Sequence, residues 1–273
     1  MNFILNGGGK MKKLLVAAGF FVPFMANALE LEFSVGALQQ KPSGYVSYKP
    51  VSDNDKIDVK NDAHISDKTK PWVRLKLEHP IPLIPNIKLS YMPMKFDGNG
   101  TLTRDIKWGN YTYQANADFN LSVKLDRLDT TLYFNAPLVK TLTNGVLDIE
   151  YGLNIRTVFF DGKLNGTDKT TGQKVSESKS ITLPVPMLHL ATEIKPIPYF
   201  SAVGSLNYIS YNKDTYYDYT AGARLYAGSL LPLGTLKPFI EAGYRYEKLK
   251  IDESDVKTDL KIKGGYALVG LSF

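Results

Sequence analysis

Residues 147–156 read Leu147-Asp-Ile-Glu-Tyr-Gly-Leu-Asn-Ile-Arg156, and their order decides the fold. Successive side chains of a strand point to opposite faces, so Leu147, Ile149, Tyr151, Leu153 and Ile155 share one side. Asp148, Glu150, Gly152, Asn154 and Arg156 share the other. The same alternation fills 72–78, with Val73, Leu75 and Leu77 opposing Trp72, Arg74, Lys76 and Glu78. It returns at 238–247, where Ile240, Ala242, Tyr244 and Tyr246 oppose Glu241, Gly243, Arg245 and Glu247.

A soluble sandwich alternates in the same way, with its charged face in water. Three further features favour a membrane barrel. The apolar faces run for about five alternate positions, close to the nine to eleven residues of a tilted membrane strand. Tyrosines gather near strand ends, at Tyr91, Tyr133, Tyr216, Tyr217, Tyr244 and Tyr246, as an interfacial girdle requires. The chain also opens with an export leader: Lys12 and Lys13 precede an apolar run, Leu14 to Ala26, and Ala26-Asn27-Ala28 fits small-residue cleavage after Ala28. Residues 1–28 are therefore expected to leave as a signal peptide with its true start at Met11, and 29–273 to form one barrel domain. The leader holds Lys10, Lys12 and Lys13 and no acid, so its removal takes the formal net charge from +6 to +3. No basic stripe with interleaved aromatics remains, and nucleic acid is not an expected partner.

Ten strands are expected, an even number, over about 29–40, 70–79, 86–107, 111–135, 145–161, 177–195, 198–211, 215–230, 237–252 and 257–273. Their connections alternate between two kinds. HPIPLIPN (79–86), APLVKTLTNG (136–145), KPIP (195–198) and LPLGTLKP (231–238) are short and rich in proline, which offers no ladder donor. The others, 41–69, the Trp108-Gly109-Asn110 tip, 162–176, 211–215 and 253–257, are polar and include the long ones. Short turns face the periplasm in such barrels and long loops face outward, so both termini are expected in the periplasm. The strands over 86–107 and 111–135 are long enough to project beyond the bilayer. Apolar parity changes twice, from Leu121, Val123 and Leu125 to Leu128, Thr130, Leu132 and Phe134, and from Leu260 and Ile262 to Ala267 and Val269. β-Bulges near Asp126-Arg127 and at Gly264-Gly265 would account for both.

The run LEHPIPLIPNIKLSY at 77–91, with GNGTLTR at 98–104 and LDTTLYF at 128–134, resembles a family of small proteobacterial outer-membrane β-barrel proteins. The resemblance implies an all-β antiparallel transmembrane barrel in the bacterial outer membrane, with lipid and lipopolysaccharide as surroundings. It carries no substrate and no catalytic residue. The aromatic end of the alternating last strand, Phe273, resembles the signal by which the barrel assembly machinery takes up such chains.

In a barrel of ten strands the charged faces converge inside. The expected lumen network is Arg74, Lys76, Glu78, Lys88, Lys124, Asp148, Glu150, Arg156, Glu193, Arg224, Glu241 and Arg245. Barrel diameter grows with strand number, so a narrow barrel filled by these ion pairs is expected to be plugged, with a narrow solute channel as the alternative. The chain is then a structural or surface-interaction protein, open to an unknown surface ligand. Chemistry has little foothold. His64 lies in the first loop just after the acidic stretch DNDKIDVKND at 53–62; the loop is read as solvated and mobile, and the stretch lacks the glycine and closing glutamate of a calcium loop. His79 falls in a turn and His189 in a strand. There is no cysteine, no defensible Ser/His/Asp set and no phosphate loop, so no cofactor, metal or enzymatic activity is expected, an outer-membrane hydrolase being the remote possibility.

Overall fold

In a computed structural model the alternating stretches pair into one sheet that closes on itself. The structure describes residues 29–273 apart from 82, 228–234 and 253–254, so the expected leader lies outside the described residues. The first strands are β1 (Glu30–Tyr48), β2 (Ile57–Asp58), β3 (Lys68–Glu78), β4 (Asn86–Met92), β5 (Lys95–Thr101), β6 (Ile106–Trp108) and β7 (Tyr111–Tyr113). After them come β8 (Asp118–Asn135), a helical turn α1 (Val139–Leu142), β9 (Leu147–Thr167) and β10 (Lys174–Ile197). The chain finishes with β11 (Phe200–Tyr211), β12 (Asp214–Tyr226), β13 (Lys237–Asp252) and β14 (Val256–Ser272).

Ten tracts build the wall: β1, β3, β4 continued by β5, β8, and then β9 to β14 in order. Every neighbouring pair is antiparallel, and β14 closes onto β1 from Glu32↔Ser272 to Tyr48↔Val256. No strand edge is left open through the apolar zone, which is the condition for a sheet to lie in lipid. Prolines stay where a ladder donor is not needed. β3 ends at Glu78, and the His79 N–H is taken by the Asn86 side chain at 3.0 Å, so the chain turns through Pro80 and Pro85 without losing pairing.

The strand ends joined by the short connections lie at the barrel end that also carries Glu30 and Ser272, and the strand ends joined by the long loops lie at the other. Between them the outer wall is apolar and uncovered. Phe33, Leu153, Leu188, Ile240 and Val269 are between 40% and 69% exposed, far more than a soluble sheet tolerates over a continuous band. On β13 the outward apolar positions run from Pro238 to Tyr246, about 27 Å of strand at ~3.3 Å per residue. At a tilt near ~40° this gives a belt of ~20 Å, close to the ~25 Å band of membrane barrels. Tyrosines rim it toward the long loops, with Tyr219 stacked on Tyr246 at 5.3 Å and Tyr217 on Tyr246 at 6.0 Å.

Neither expected bulge exists. β8 keeps one register against β9 from Asn120↔Asn165 to Asn135↔Glu150, and one register along β4 and β5. β14 likewise pairs with β13 without a shift from Lys237↔Ser272 to Asp252↔Lys257. Leu121, Val123 and Leu125 point inward on the same face as Arg127, Asp129, Thr131 and Tyr133; Leu260 and Ile262 share the inward face with Tyr266 and Leu268. The strands do not change face. The interior changes chemistry, from charged near the short turns to apolar near the long loops.

That apolar part is completed by the loops. Residues 49–67 fold over the barrel mouth and bury Ile57, Val59, Ala63 and Ile65 beside Ile106, Trp108 and Tyr113 from the β6–β7 hairpin. This corrects the reading of 53–62 as a mobile solvated loop, because its acids hold turns. Asp58 accepts from the N–H groups of Lys60 and Asn61, and Asp55 accepts from those of Val51, Ser52 and Lys107. The strand expected over 86–107 is interrupted at Pro93-Met94, and its last part becomes the separate β6–β7 hairpin.

Candidate functional site

The lumen beneath the cap holds two layers of ion pairs. In the layer next to the cap, Arg156 from β9 reaches Asp129 of β8 at 2.7 and 3.1 Å and Asp218 of β12 at 2.5 Å. Asp218 also meets Arg245 of β13 at 2.6 Å and accepts from Asn207 at 3.2 Å. Arg127 pairs with Glu247, which takes a further hydrogen bond from the Tyr216 hydroxyl at 2.7 Å. Three guanidiniums thus meet three carboxylates. The Arg156 and Asp218 side chains at the centre of this layer are 0% exposed.

The layer nearer the short turns divides in two. On one side Glu241 receives both arms of Arg74 at 2.9 Å, and it is shared with Arg224 at 2.7 Å. Arg224 turns its other arm to Glu32 at 2.7 Å, and Glu193 accepts from the Tyr226 hydroxyl at 2.6 Å. Across the lumen Lys76 bridges Glu78 and Glu150 at 2.7 and 2.8 Å, with Lys88 on Glu150 at 2.6 Å. Between the halves lies a polar cavity of about 120 Å³, lined by Lys76, Lys88, Glu150, His189, Arg224 and Glu241 among others. Forked arginine–carboxylate pairs fix geometry as well as charge, which suits them to hold ten strands in one register.

Of the charged residues expected in the lumen, the structure brings together Arg74, Lys76, Glu78, Lys88, Glu150, Arg156, Glu193, Arg224, Glu241 and Arg245. Lys124 is corrected: it stands on the outer face of β8 above the apolar belt, 46% exposed and beside Asp126 at 3.1 Å. Its inward reading depended on the bulge that is absent. Asp148 sits at the rim and pairs with Lys140 of α1 at 3.4 Å, outside both layers. Glu32, Arg127, Asp129, Asp218 and Glu247 were missed, although strict parity carried through β1, β8, β12 and β13 places each on the inward face.

The three histidines separate. His64 is exposed on the cap with Nδ1 at 3.1 Å from the Asn99 carbonyl, and His79 contacts the Pro85 carbonyl in its turn. His189 is buried, its Nδ1 at 2.8 Å from Asn207 Oδ1 and its Nε2 at 3.8 Å from Glu150. No hydroxyl nucleophile stands in hydrogen-bond contact with any of them among the described residues. No group of three metal-ligating side chains occurs among the described residues.

No protein-family model matches the chain, and no curated protein matches it in sequence. Solved structures do resemble it in overall arrangement. The outer membrane protease OmpT of Escherichia coli is 10% identical, with 90% of this chain and 96% of that chain covered and a TM-score of 0.43. The translocator domain of the autotransporter NalP of Neisseria meningitidis is 12% identical, with 97% of each chain covered and a TM-score of 0.38. Ail, the attachment invasion locus protein of Yersinia pestis, is 11% identical over 90% of this chain and 99% of its own, with a TM-score of 0.32. These likenesses are distant, and the fold rests on the strand pairing of this chain: it is an all-β, ten-strand antiparallel barrel of the outer-membrane type.

The cap is tied to itself by exposed polar contacts. Arg104 donates to the Asn54 carbonyl at 2.8 Å and to the Lys56 carbonyl at 2.5 Å, and pairs with Asp62 at 3.2 Å, which locks the β5–β8 connection onto residues 49–67. The β9–β10 loop joins through Lys169 and Asp105 at 2.6 Å. The hydrogen bond from Lys169 and the Ala115 N–H hold the Asp105 carboxyl below its usual range, as Lys56 does for Asp53. Burial pushes the Tyr113 hydroxyl above its usual value, and it donates to the Leu164 carbonyl at 3.1 Å.

Proposed function

We propose that the chain is an integral outer-membrane barrel with its long loops outward and a sealed lumen. It then works as a structural and surface-interaction protein whose cap is the surface presented outside. The observation that carries this is the succession of two seals across one section. A neutral arginine–carboxylate layer with fully buried Arg156 and Asp218 is backed by an apolar plug of loop and wall residues such as Ile57, Ile106, Leu121 and Leu164, all 0% exposed. An ion crossing this section would need desolvation in both layers. A second reading, a narrow channel for small solutes, is favoured by the polar cavity between Lys76 and Arg224, which would serve as its periplasmic vestibule.

The placement is testable because the natural chain has no cysteine. Thr171→Cys in the β9–β10 loop and Thr141→Cys in α1 each create a unique thiol. A membrane-impermeant maleimide added to intact cells is expected to label the first and not the second, with both proteins heat-modifiable and in the outer-membrane fraction. Labelling of Thr141→Cys alone would reverse the orientation, and a soluble periplasmic product would overturn the membrane reading. Outer-membrane lipid surrounds the belt in this reading, and the outward Phe273, tied by its N–H to Leu31 at 3.0 Å, is presented to the barrel assembly machinery during insertion.

A further inference from the structure

Above the tyrosine rim, one side of the outer wall turns basic in a way that the barrel itself does not balance. Lys248 of β13 stands directly opposite Lys261 of β14, and Lys263 of β14 directly opposite Lys41 of β1. Side chains directly opposite on one face have Cβ atoms about 5 Å apart, and like charges there repel. The two pairs follow each other at a step of ~7 Å along β14, making a zigzag of four lysines across three strands. The rows above are compensated, with Lys250 opposite Asp259 and Lys257 opposite Asp252. Asp259 also lies 3.6 Å from Lys248, whereas Lys41, Lys261 and Lys263 have no ion-pair partner among the described residues. A carboxylate at any of these outward positions would convert repulsion into attraction without touching the lumen. Three lysines without a partner, beside Lys248, call for an anion from outside the chain.

The same strands descend from the lysines into the belt by an unusually low lane. Gly265 carries no side chain, and a Cβ added to it would find nothing nearer than 3.7 Å. Below it Ala242, Ala267 and Ala37 stand side by side on β13, β14 and β1, and the row continues through Ala223 and Ala202. Lower still is an apolar hollow of about 540 Å³ lined by Phe33, Val35, Leu225, Ile240, Val269 and Leu271. On the opposite wall Leu153, Leu188 and Leu190 project from the surface at 40%, 69% and 51% exposure.

The cationic row and the low lane lie in that order from the loop end inward, and the hollow lies beyond them at the short-turn edge of the belt. This matches an amphiphile with phosphates at the membrane surface and several acyl chains below, not a soluble anion, which has no use for the lane. We propose that the β13–β14–β1 wall docks one phosphorylated, multiply acylated glycolipid of the outer leaflet. Lys41, Lys248, Lys261 and Lys263 hold its phosphates, and the alanine lane beneath holds its chains. The proposal rests on the outward orientation of the long loops argued above, since only then do the lysines lie in the glycolipid leaflet.

The test is titration of the folded, detergent-solubilised protein with bisphosphorylated lipid A, followed by native mass spectrometry. The quadruple variant K41Q/K248Q/K261Q/K263Q is expected to bind at least about tenfold more weakly, since each basic side chain near an anionic lipid surface contributes on the order of 1 kcal/mol and ~1.4 kcal/mol is a factor of ten. The control K95Q/K124Q/K163Q, outward lysines on β5, β8 and β9, is expected to bind as the natural chain does. Dephosphorylated lipid A should bind the natural chain as weakly as the quadruple variant, and A242L/A267L, which fills the lane while keeping the lysines, should lose several-fold. Equal binding by the quadruple variant and the control, or equal binding of dephosphorylated lipid A, overturns the site. The Thr171→Cys labelling is independent: surface labelling with equal binding removes the site alone, while labelling of Thr141→Cys instead removes the orientation on which it stands.

Discussion

The lower and upper halves of the lumen are built on the same inward faces of the same strands and filled with opposite chemistry. On β8, Arg127, Asp129 and Thr131 lie toward the short turns, while Leu125, Val123 and Leu121 continue the row toward the long loops. The lower half is packed by ion pairs between strands far apart in sequence, such as the forked pair of Arg74 with Glu241 and the single contact of Arg127 with Glu247. The upper half is packed like the core of a soluble protein, because the loops above it bring their own apolar residues. Where the wall is in lipid, apolar residues are used outside and charge goes in. Where the wall rises above the belt, the outward positions turn polar, as with Lys124, Asp126, Asp161 and Lys163, and apolar residues are free to turn in.

This contrast can be broken most forcefully in the charged layer. Asp218→Ala leaves Arg156 and Arg245 buried without their shared carboxylate and is expected to cost about 3–5 kcal/mol in urea unfolding from lipid vesicles. The companion experiment sharpens the point. Arg127→Leu alone is expected to cost a similar amount by stranding Glu247, and Arg127→Leu with Glu247→Leu to recover most of it, since a buried pair replaced by apolar groups is often neutral or stabilising. A double variant as unstable as the single would show that the ion pair itself holds the barrel together.

In the apolar half, Leu121→Ala is expected to cost about 3 kcal/mol through the lost contacts and the cavity, and Leu121→Met less than about 1.5 kcal/mol. The two tryptophans separate the regions. Trp72 lies in the charged half, donating to Ser90 at 2.8 Å and stacked under Arg74 at 5.0 Å, whereas Trp108 lies in the cap edge-on to Tyr48 at 6.3 Å. Arg104→Ala, which removes the tie between loop segments, is expected to lower stability by about 1–2 kcal/mol as read by Trp108 in a Trp72→Phe background. Little change is expected as read by Trp72 in a Trp108→Phe background.

The smallest effect is one of pH. Asp105 has a folded-state pKa held below its usual value by Lys169, so its contribution is present above about pH 4, the unfolded carboxylate value, and is lost as pH falls through the lowered folded value. The expected outcome is that a protease active at neutral pH nicks the β9–β10 loop of Lys169→Gln faster than that of the natural chain, while pepsin at low pH, where Asp105 is protonated, nicks both alike, with the wall intact in each. High salt should blunt the same tie.

Most of the wall was legible in the sequence because period-two alternation and proline punctuation act locally. Leu147 to Arg156 reads outward and inward without reference to the rest of the chain, and HPIPLIPN marks a turn by its missing donors. What alternation does not reveal is which face is the inside. Assigning the apolar residues outward everywhere required bulges at Asp126-Arg127 and Gly264-Gly265, which drew Lys124 in and left Arg127 inside a supposed irregularity, whereas Asp129 was inward by parity on either reading. The cap was hidden for a related reason. Ile57, Val59, Ala63 and Ile65 are spaced among acids that look solvated until Asp55 and Asp58 are seen to hold local backbone turns, and only the Asp55 contact with the Lys107 N–H depends on a strand brought in from elsewhere.

Whether the two halves together close the lumen is read out by planar-bilayer recording of the purified natural chain. A closed lumen gives no steady conductance above that of the bare bilayer, and openings only when both layers are breached, as in Asp218→Ala combined with deletion of residues 53–63. A steady conductance in the natural chain that changes with Arg156→Ala or Glu241→Ala would contradict it and establish the lumen as a channel.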